Sequence, residues 1–516
     1  MSISSVLWYT AYLLFFVIFG VIFNVLHQIV TSRRGSAPPV VFHILPVIGS
    51  SIEFGRNPTR FLIKYREKYG DVFTFVILGQ KLTAVLGPKG NKFVMGMKSE
   101  IFNAEDAYGK FTAPVFGKDV AFDVPNEVFK EQKRFLSFGL SHSNFRTYVG
   151  IIDEEVTSYL NTLLTAKEVA QGDNWKSFDA YSVLSTLNIL ASSRTLHGKE
   201  VRESIRSGSK VVSYYDELDG SLGPLTFVFP HLPLPQYRRR DHAQKQLSAF
   251  YLDIIQRRKE RYKKMKDALT DPEEDSDLIS ALMKQSYRDG TPLQDHVIAH
   301  LMIALLMAGR HTSASTGSWI LVYLAVNQPV AEDLYAEQVK YFSSPNGILR
   351  PLVYDDIRTL PLMNAVIKET LRLQPPIHSV SRMVRQDTPV PADCGVLPKG
   401  QIIIPKGHVV TASQGVSQLD KQLWDDAEKW NPYRWLQGGD HHNAGKLEST
   451  DLGAYQPFGG GGHRCIGEQY AIMQLTIMVS CFIRAFEMRI DSEPKRKQFT
   501  TVTLPSNSNI YYRRRS

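Results

Sequence analysis

The residues of this chain best suited to chemistry lie in one run, Phe458-Gly459-Gly460-Gly461-Gly462-His463-Arg464-Cys465-Ile466-Gly467. A free cysteine is most often a small buried apolar residue, and alone Cys465 would carry nothing more. Here four glycines and a His-Arg pair lead to the thiol. Backbone without Cβ atoms lets a large flat cofactor come close. The basic pair offers positive charge that favours thiolate over thiol and can meet an acidic group. Cys394 and Cys481 have no such surroundings and read as structural.

Two further constellations accompany it. Lys368-Glu369-Thr370-Leu371-Arg372 puts Glu369 and Arg372 one helical turn apart on one face. In isolation that is a surface pair worth a few tenths of a kcal/mol. Downstream, Trp430-Asn431-Pro432-Tyr433-Arg434-Trp435 supplies a second arginine amid bulky aromatics. The stretch His296–Ala325 is apolar almost all round, the pattern of a helix crossing a core. Its middle reads Ala308-Gly309-Arg310-His311-Thr312-Ser313. Glycine inside a helix costs up to about 1 kcal/mol relative to alanine, a cost that room for a ligand against the backbone would offset. Ala308 and Thr312 share a face at i, i+4. The competing reading is a polar kink, its hydroxyls bonded back to carbonyls.

The pattern F-x-x-G-x-x-x-C-x-G resembles the haem-ligand signature of the cytochromes P450, and His311-Thr312 resembles their sterol 14α-demethylases, fungal in layout. The resemblance covers nearly the whole chain. It implies a mainly α fold with a minor β component, binding haem b (heme, iron-protoporphyrin IX). Cys465 would be the axial ligand, its thiolate pushing electron density onto iron. Phe458, Gly459, His463 and Gly467 would shape the cofactor loop. Glu369, Arg372 and Arg434 would form a structural lock beneath the haem, one carboxylate accepting from two guanidinium forks. Thr312 would organise water for oxygen activation and His311 would take part in proton supply.

Other segments are similar to the same subfamily. Tyr108, Phe116 and Phe122 match its substrate roof, with Tyr108 also facing the cofactor, and Gly309, His311, Ser379 and Leu504 complete the substrate positions. Lys133 matches a lysine that pairs with one haem propionate, and Arg382 an arginine that meets the other. Phe227 to Pro235, followed by Arg238-Arg239-Arg240, resembles the loop over the substrate entrance. An apolar, proline-stiffened loop flanked by arginines can dip into lipid headgroups while its charges stay at the interface; the competing reading tucks it into the core. Four positions depart from the family. Phe122 replaces a tyrosine, Arg310 a neutral amide, Gly462 an arginine, and Thr501 a methionine at the pocket wall. Arg310 adds a charge to the central helix, costly unless it reaches solvent or an acid.

The elements that must position these residues are largely helical. Segments 148–166, 241–266, 293–327 and 361–373 carry helical patterns, and 71–88 reads as a hairpin around Gly79-Gln80-Lys81. No internal repeat is visible. Asp267 to Asp277 and Gln437 to Thr450 read as exposed loops, the latter with His441-His442 as a solvated pair and not a metal site. From Val6 to Val30 no residue is charged, enough to span a bilayer at about 1.5 Å per helical residue. A cleaved signal peptide would want a basic start and a small-residue cleavage site. We therefore read residues 1–32 as a membrane anchor, spanning at about 6–26. Arg33-Arg34 directs the remainder to the cytosol. Residues 33–50, with Pro38-Pro39, read as a hinge, and 51–516 as the catalytic domain.

Composition agrees with a large folded body: 516 residues, 43% hydrophobic and 22% charged, exclude a disordered tail and a disulfide-stapled scaffold. Three cysteines, an odd count, suit a reducing compartment. The net charge of +9 favours anionic lipid or an acidic protein partner. Nucleic acid is not expected, because no base-reading motif accompanies the charge. The resemblance implies a single-pass protein of the endoplasmic reticulum that removes a sterol methyl group from lanosterol or eburicol in three oxygenations, as formate. Its electrons would come from NADPH through cytochrome P450 reductase. Two alternatives stay open: a diverged paralogue acting on another sterol or terpenoid, and a non-catalytic haem protein binding sterols or azoles.

Overall fold

The computed structural model describes residues 3–31, 36–165, 175–267, 277–395, 400–436 and 453–515. His441-His442, Arg33-Arg34 and most of the acidic segment 267–277 lie outside the described residues. Helices dominate: α1 (Ile3–Thr31), α2 (Ala104–Phe116), α3 (Asn126–Ser137), α4 (His142–Thr165), α5 (Ala180–Ser192), α6 (Val211–Gly220), α7 (Pro235–Asp267), α8 (Asp295–Val326), α9 (Pro361–Leu373) and α10 (Glu468–Ala485), with further helices between them. Among the described residues, ten short strands are β1 (Val72–Ile77), β2 (Gln80–Val85), β3 (Phe102–Asn103), β4 (Lys176–Asp179), β5 (Val380–Val384), β6 (Thr388–Pro389), β7 (Ile403–Ile404), β8 (Val409–Ala412), β9 (Phe486–Arg489) and β10 (Asn509–Arg514). They form sheets ordered β1-β2-β8-β5-β3, β4-β10-β9 and β6-β7.

The expected hairpin is present, but its turn is Leu78-Gly79, with Gln80 and Lys81 already paired in β2. Both turn residues have positive φ, 46° and 84°, the geometry of a tight hairpin whose twist matches its strands. Glycine serves the second position without strain, whereas Leu78 does not.

The organising element is α8, and its two halves serve different cores. Val297 to Met307 pack into a cluster with α6, α7 and the helix Leu278–Met283. Ala314 to Ala325 pack into a second cluster with α4, α5, α9 and α10. Residues 308–313 fall at the seam. Only α8 is long and apolar enough to cross a membrane among the helices whose described residues can be assessed, and two-thirds of its apolar window is buried, as in a core helix.

The proline-bearing segment is not a free linker. Val41 N–H donates to the Thr74 carbonyl and Thr74 N–H to that of Pro39, stitching it along β1, while Ile403 N–H reaches Ser36. Prolines hold the segment extended, and an extended backbone beside a sheet edge finds ladder partners. The end of α1 is tied to the same segment. Asn24 donates to the His43 and Ile44 carbonyls, and Gln28 exchanges hydrogen bonds with the His43 backbone. The polar residues that interrupt the apolar run thus cap its contact with the body.

Candidate active site

Cys465 sits in a loop folded back on itself, its N–H donating to the Phe458 carbonyl at 3.0 Å. Gly461 makes that loop possible: φ is 62°, and a Cβ there would collide with the Met95 carbonyl. Gly459 also has positive φ, 72°, and faces open space. Gly467 precedes the N-terminus of α10 and its N–H bonds to the Cys465 sulfur. Burial pushes the thiol pKa up, against the Gly467 bond and the charges of Lys133 and Arg464. Yet the Cys465 side chain is exposed. Cys394 and Cys481 are buried.

A second accessible spot lies on α8. Among the described residues 301–325, Ala308 alone is exposed, and a Cβ on Gly309 would meet nothing within 4 Å. Thr312, half-buried, donates to the Ala308 carbonyl at 2.8 Å. The helix that is sealed elsewhere is open at the Ala308–Gly309–Thr312 turn.

Three cationic or donor groups sit near the sulfur loop. Arg382 on β5 is buried, and burial lowers its pKa; among the described residues it donates to the Ser381 carbonyl at 2.8 Å and meets no carboxylate at ion-pair distance. His463 is pushed down to about 4, by burial first and then by Arg382, Lys133 and Lys130, so the ring is neutral at pH 7. Its Nε2 lies 3.2 Å from the Asn126 amide nitrogen, which also donates to Glu105. The ring proton therefore belongs on Nδ1, which is buried without a partner. Lys133 on α3, its pKa lowered by burial, donates to the carbonyls of Gly462 and Arg464. The Tyr108 hydroxyl accepts from the Ser381 N–H at 2.8 Å.

A haem fits these residues. A buried guanidinium without a carboxylate and an orphaned imidazole N–H suit the propionate groups of a porphyrin, and an accessible thiol suits its iron. The structure thus brings Cys465, His463, Arg382, Lys133 and Tyr108 around one region. Phe122 packs tilted on Tyr108 (5.0 Å) and stacks on Phe129 (5.7 Å) and His463 (5.9 Å). Phe116, half-buried, packs instead on the cluster around α6 and α7. Ser379 is half-buried and bonds to His378 Nδ1. Leu504 follows Thr503, which is fastened to α8 through its carbonyl.

Glu369 and Arg372 are not a surface pair: both are fully buried. Arg372 grips both carboxylate oxygens at 2.9 Å, Arg434 Nε reaches one at 3.0 Å, and Trp435 Nε1 and the Asn431 N–H complete the shell. Burial alone would raise the carboxyl pKa, but the Arg372 and Arg434 guanidinium groups hold it below the ordinary value. Arg372 also binds the carbonyls of Gln418 and Ala427. Sequence spacing revealed the two arginines; Trp435 and Asn431 converge only through the fold.

His311 departs most from what spacing suggests. Its Nδ1 is 2.9 Å from the Tyr181 hydroxyl on α5, and its Nε2 is in ion-pair contact with Asp219 on α6. Burial, with Asp219 adding to it, pushes Tyr181 up to about 12, so the phenol keeps its proton. Arg310 is buried and finds acids, as its charge requires: Asp219 at 2.9 Å and Asp216 at 2.5 Å, with Ser185 at 2.8 Å. No motif marks Asp216, Asp219 or Tyr181; their i, i+3 or solitary positions look like any polar helix face.

The entrance segment is also rearranged. Pro224–Val228 forms a short helix, Phe229 and Leu232 are exposed, and Phe227 packs on Tyr108 and Phe111. Arg240 is not an interfacial charge: it is buried, donating to the Pro230 carbonyl and paired with Asp241. Its guanidinium satisfies the turn that prolines leave short of donors.

A sequence model of the cytochrome P450 family matches residues 38–512. Lanosterol 14-alpha demethylase of Mycosarcoma maydis is 43% identical, over 95% of this chain and 90% of that protein. Eburicol 14-alpha-demethylase of Uncinula necator is 40% identical, over 90% and 87%. Lanosterol 14-alpha demethylase of Schizosaccharomyces pombe is 40% identical, over 92% of each. Among solved structures, retinoic acid-bound cyanobacterial CYP120A1 superposes with a TM-score of 0.76 at 21% identity, over 94% of this chain and all of that one, which speaks to fold alone.

Proposed function

Since the chain belongs to the cytochrome P450 family, we propose that it is a haem-thiolate monooxygenase that removes the 14α-methyl group of lanosterol or eburicol as formate in three oxidations using O2 and NADPH. The observation that carries this is the accessible thiol of Cys465 in the glycine loop, and the open Ala308–Gly309–Thr312 turn of α8 supports it. Relatives that demethylate lanosterol and eburicol support the substrate class.

When bound, the haem supplies thiolate-ligated iron able to activate O2. Cys465 would hold its iron through the thiolate. Arg382, the His463 Nδ1–H, Lys133 and Tyr108 would hold its propionates, and Phe458, Gly459 and Gly467 would shape the loop beneath. The Glu369–Arg372–Arg434 cluster would keep that face rigid without touching substrate. Thr312 carries a hydroxyl whose intrahelical bond to Ala308 can be exchanged for a bond to water. His311, bonded at Nδ1 by Tyr181 and with Nε2 against Asp219, would hold the proton that this water delivers. Tyr108, Phe116, Phe122, Gly309, Ser379 and Leu504 would form an apolar enclosure suited to a rigid sterol, whose desolvation drives its entry.

The reading extends to the membrane. An apolar α1, capped where Asn24 and Gln28 meet the segment at 43–44, supports residues 1–32 as a single-pass anchor and the body as cytosolic at the endoplasmic reticulum. Phe42, Ile44, Val47 and Ile48 beside that cap are exposed, which suits a lipid surface. Electrons would arrive from NADPH through cytochrome P450 reductase, whose acidic face suits a chain of net charge +9.

Phe122, Arg310 and Thr501 favour a second reading, a diverged paralogue oxidising another sterol or terpenoid. One experiment addresses both: full-length enzyme in lipid with reductase and NADPH, given a panel of sterols and triterpenoids and read by mass spectrometry. Formate and the demethylated product from lanosterol or eburicol are expected. Turnover of another panel member alone would favour the paralogue. A preparation without a strongly red-shifted Soret band under reducing agent and carbon monoxide would overturn the haem-thiolate reading itself.

A further inference from the structure

Arg310 and His311 are adjacent on α8, and both reach the same carboxylate. Asp219 accepts from Arg310 Nη1 on Oδ2, while Oδ1 faces His311 Nε2. The second Arg310 nitrogen, Nη2, holds Asp216, one helical turn earlier on α6. Its Nε is fixed by Ser185 on α5. The fork therefore spans a full turn of α6, and its base is anchored in a third helix. Arg310 is buried, with Asp219 nearly so and Asp216 half-exposed at the rim. Asp216, half-exposed, can turn to solvent alone, but the buried Asp219 leaves the fork only if α6 lifts, which would strand the guanidinium. Asp219 is thus held against His311 for as long as α6 is seated. A neutral amide at 310 could not pair ionically with two acids.

We propose that Arg310 is a positioning residue that clamps α6 onto α8 and, through Asp219, ties the seating of this helix to proton supply at His311. It touches neither substrate nor cofactor. When α6 is seated, His311 is held between Tyr181 and Asp219. When α6 lifts, both acids leave Arg310 and His311 loses its Nε2 partner. The inference rests on the proton-supply role given to His311 above.

The test uses full-length enzyme in lipid, as the parent and as Arg310→Gln, Arg310→Lys and Asp216→Asn. Hydrogen exchange over Val211–Gly220 in the resting protein reads the clamp. Formate formed from lanosterol per NADPH consumed, with peroxide as the by-product, reads proton supply. Arg310→Gln should exchange at least tenfold faster across α6 and lose coupling severalfold, with the reduced carbon monoxide spectrum unchanged. Asp216→Asn, at the half-exposed rim, should move both in the same direction by less, and Arg310→Lys should restore part of each. Unchanged exchange overturns the clamp, and faster exchange with parental coupling overturns its link to His311. A parent that makes no formate from lanosterol or eburicol overturns the functional reading instead, and the exchange data still decide the clamp.

Discussion

The indole N–H of Trp319 donates to the main-chain carbonyl of Thr503 at 3.0 Å, and the Ser315 hydroxyl one turn earlier donates to the same oxygen at 2.7 Å. Thr503 also bonds Pro375 and Pro376, so the tail carrying Leu504 is sewn to α8 and to the segment after α9. Trp319→Phe with Ser315→Ala leaves a buried carbonyl short of donors, a loss of about 1–3 kcal/mol. Urea unfolding should report that loss. Sterol titration should show weaker binding with an unchanged reduced carbon monoxide spectrum.

Glu369→Gln removes the charge that two buried guanidinium groups share. Breaking such a cluster costs about 3–5 kcal/mol, and we expect a lower unfolding midpoint and poor recovery of haem-containing protein. The acid limb carries the same signature. Because the folded pKa is depressed, the contribution of Glu369 is complete above the ordinary carboxylate value and is lost as pH falls through the folded one. The stability of the glutamine variant should therefore fall less steeply below pH ~4.

Arg382→Met removes the buried guanidinium that meets no carboxylate. If its partner is a haem propionate, a charge-assisted bond of about 1.5–3 kcal/mol is lost. Haem transfer to an acceptor such as apomyoglobin should accelerate by roughly 10- to 100-fold. The unfolding midpoint of cofactor-free protein should not drop, since burial of this charge is itself costly.

His197, in the π-helical turn Ser193–His197, is fully buried, its Nδ1 2.9 Å from the Tyr251 hydroxyl, which bonds Tyr215 on α6. Burial pushes it down to about 3. The folded protein keeps the ring neutral while the unfolded chain takes up a proton near pH 6.5. Stability is full above 6.5 and drains away as pH falls toward 3, by up to about 1.4 kcal/mol per pH unit. His197→Gln should make that slope shallower by the share of one histidine, measured by denaturant unfolding between pH 7 and 5, since His463, His378 and His408 are also pushed down to about 4 by burial.

Much of the architecture was legible beforehand because it rests on local patterns. Apolar periodicity located α7, α8 and α9 to within a few residues, and the mainly helical fold follows from them. The glycine loop and the Glu369/Arg372 spacing were legible for the same reason, since each is a short-range relation. The proline segment misled because its residues predict an extended chain but not the β1 edge that receives it. Arg240 misled because its partner carbonyl belongs to a turn ten residues away.

By itself the amino-acid order determined the helices, the thiol-bearing loop and the family resemblance, because propensity, periodicity and motif spacing act over a turn or two of chain. Only the tertiary structure decided that Asp216 and Asp219 meet Arg310 across about ninety residues, that His311 lies between Tyr181 and Asp219, and that, among the described residues, His463 Nδ1 has no acceptor and Arg382 no carboxylate at ion-pair distance. Such partners are chosen by desolvation: once a charge is buried, whichever polar group the fold brings within reach must satisfy it, and no local pattern says which that will be.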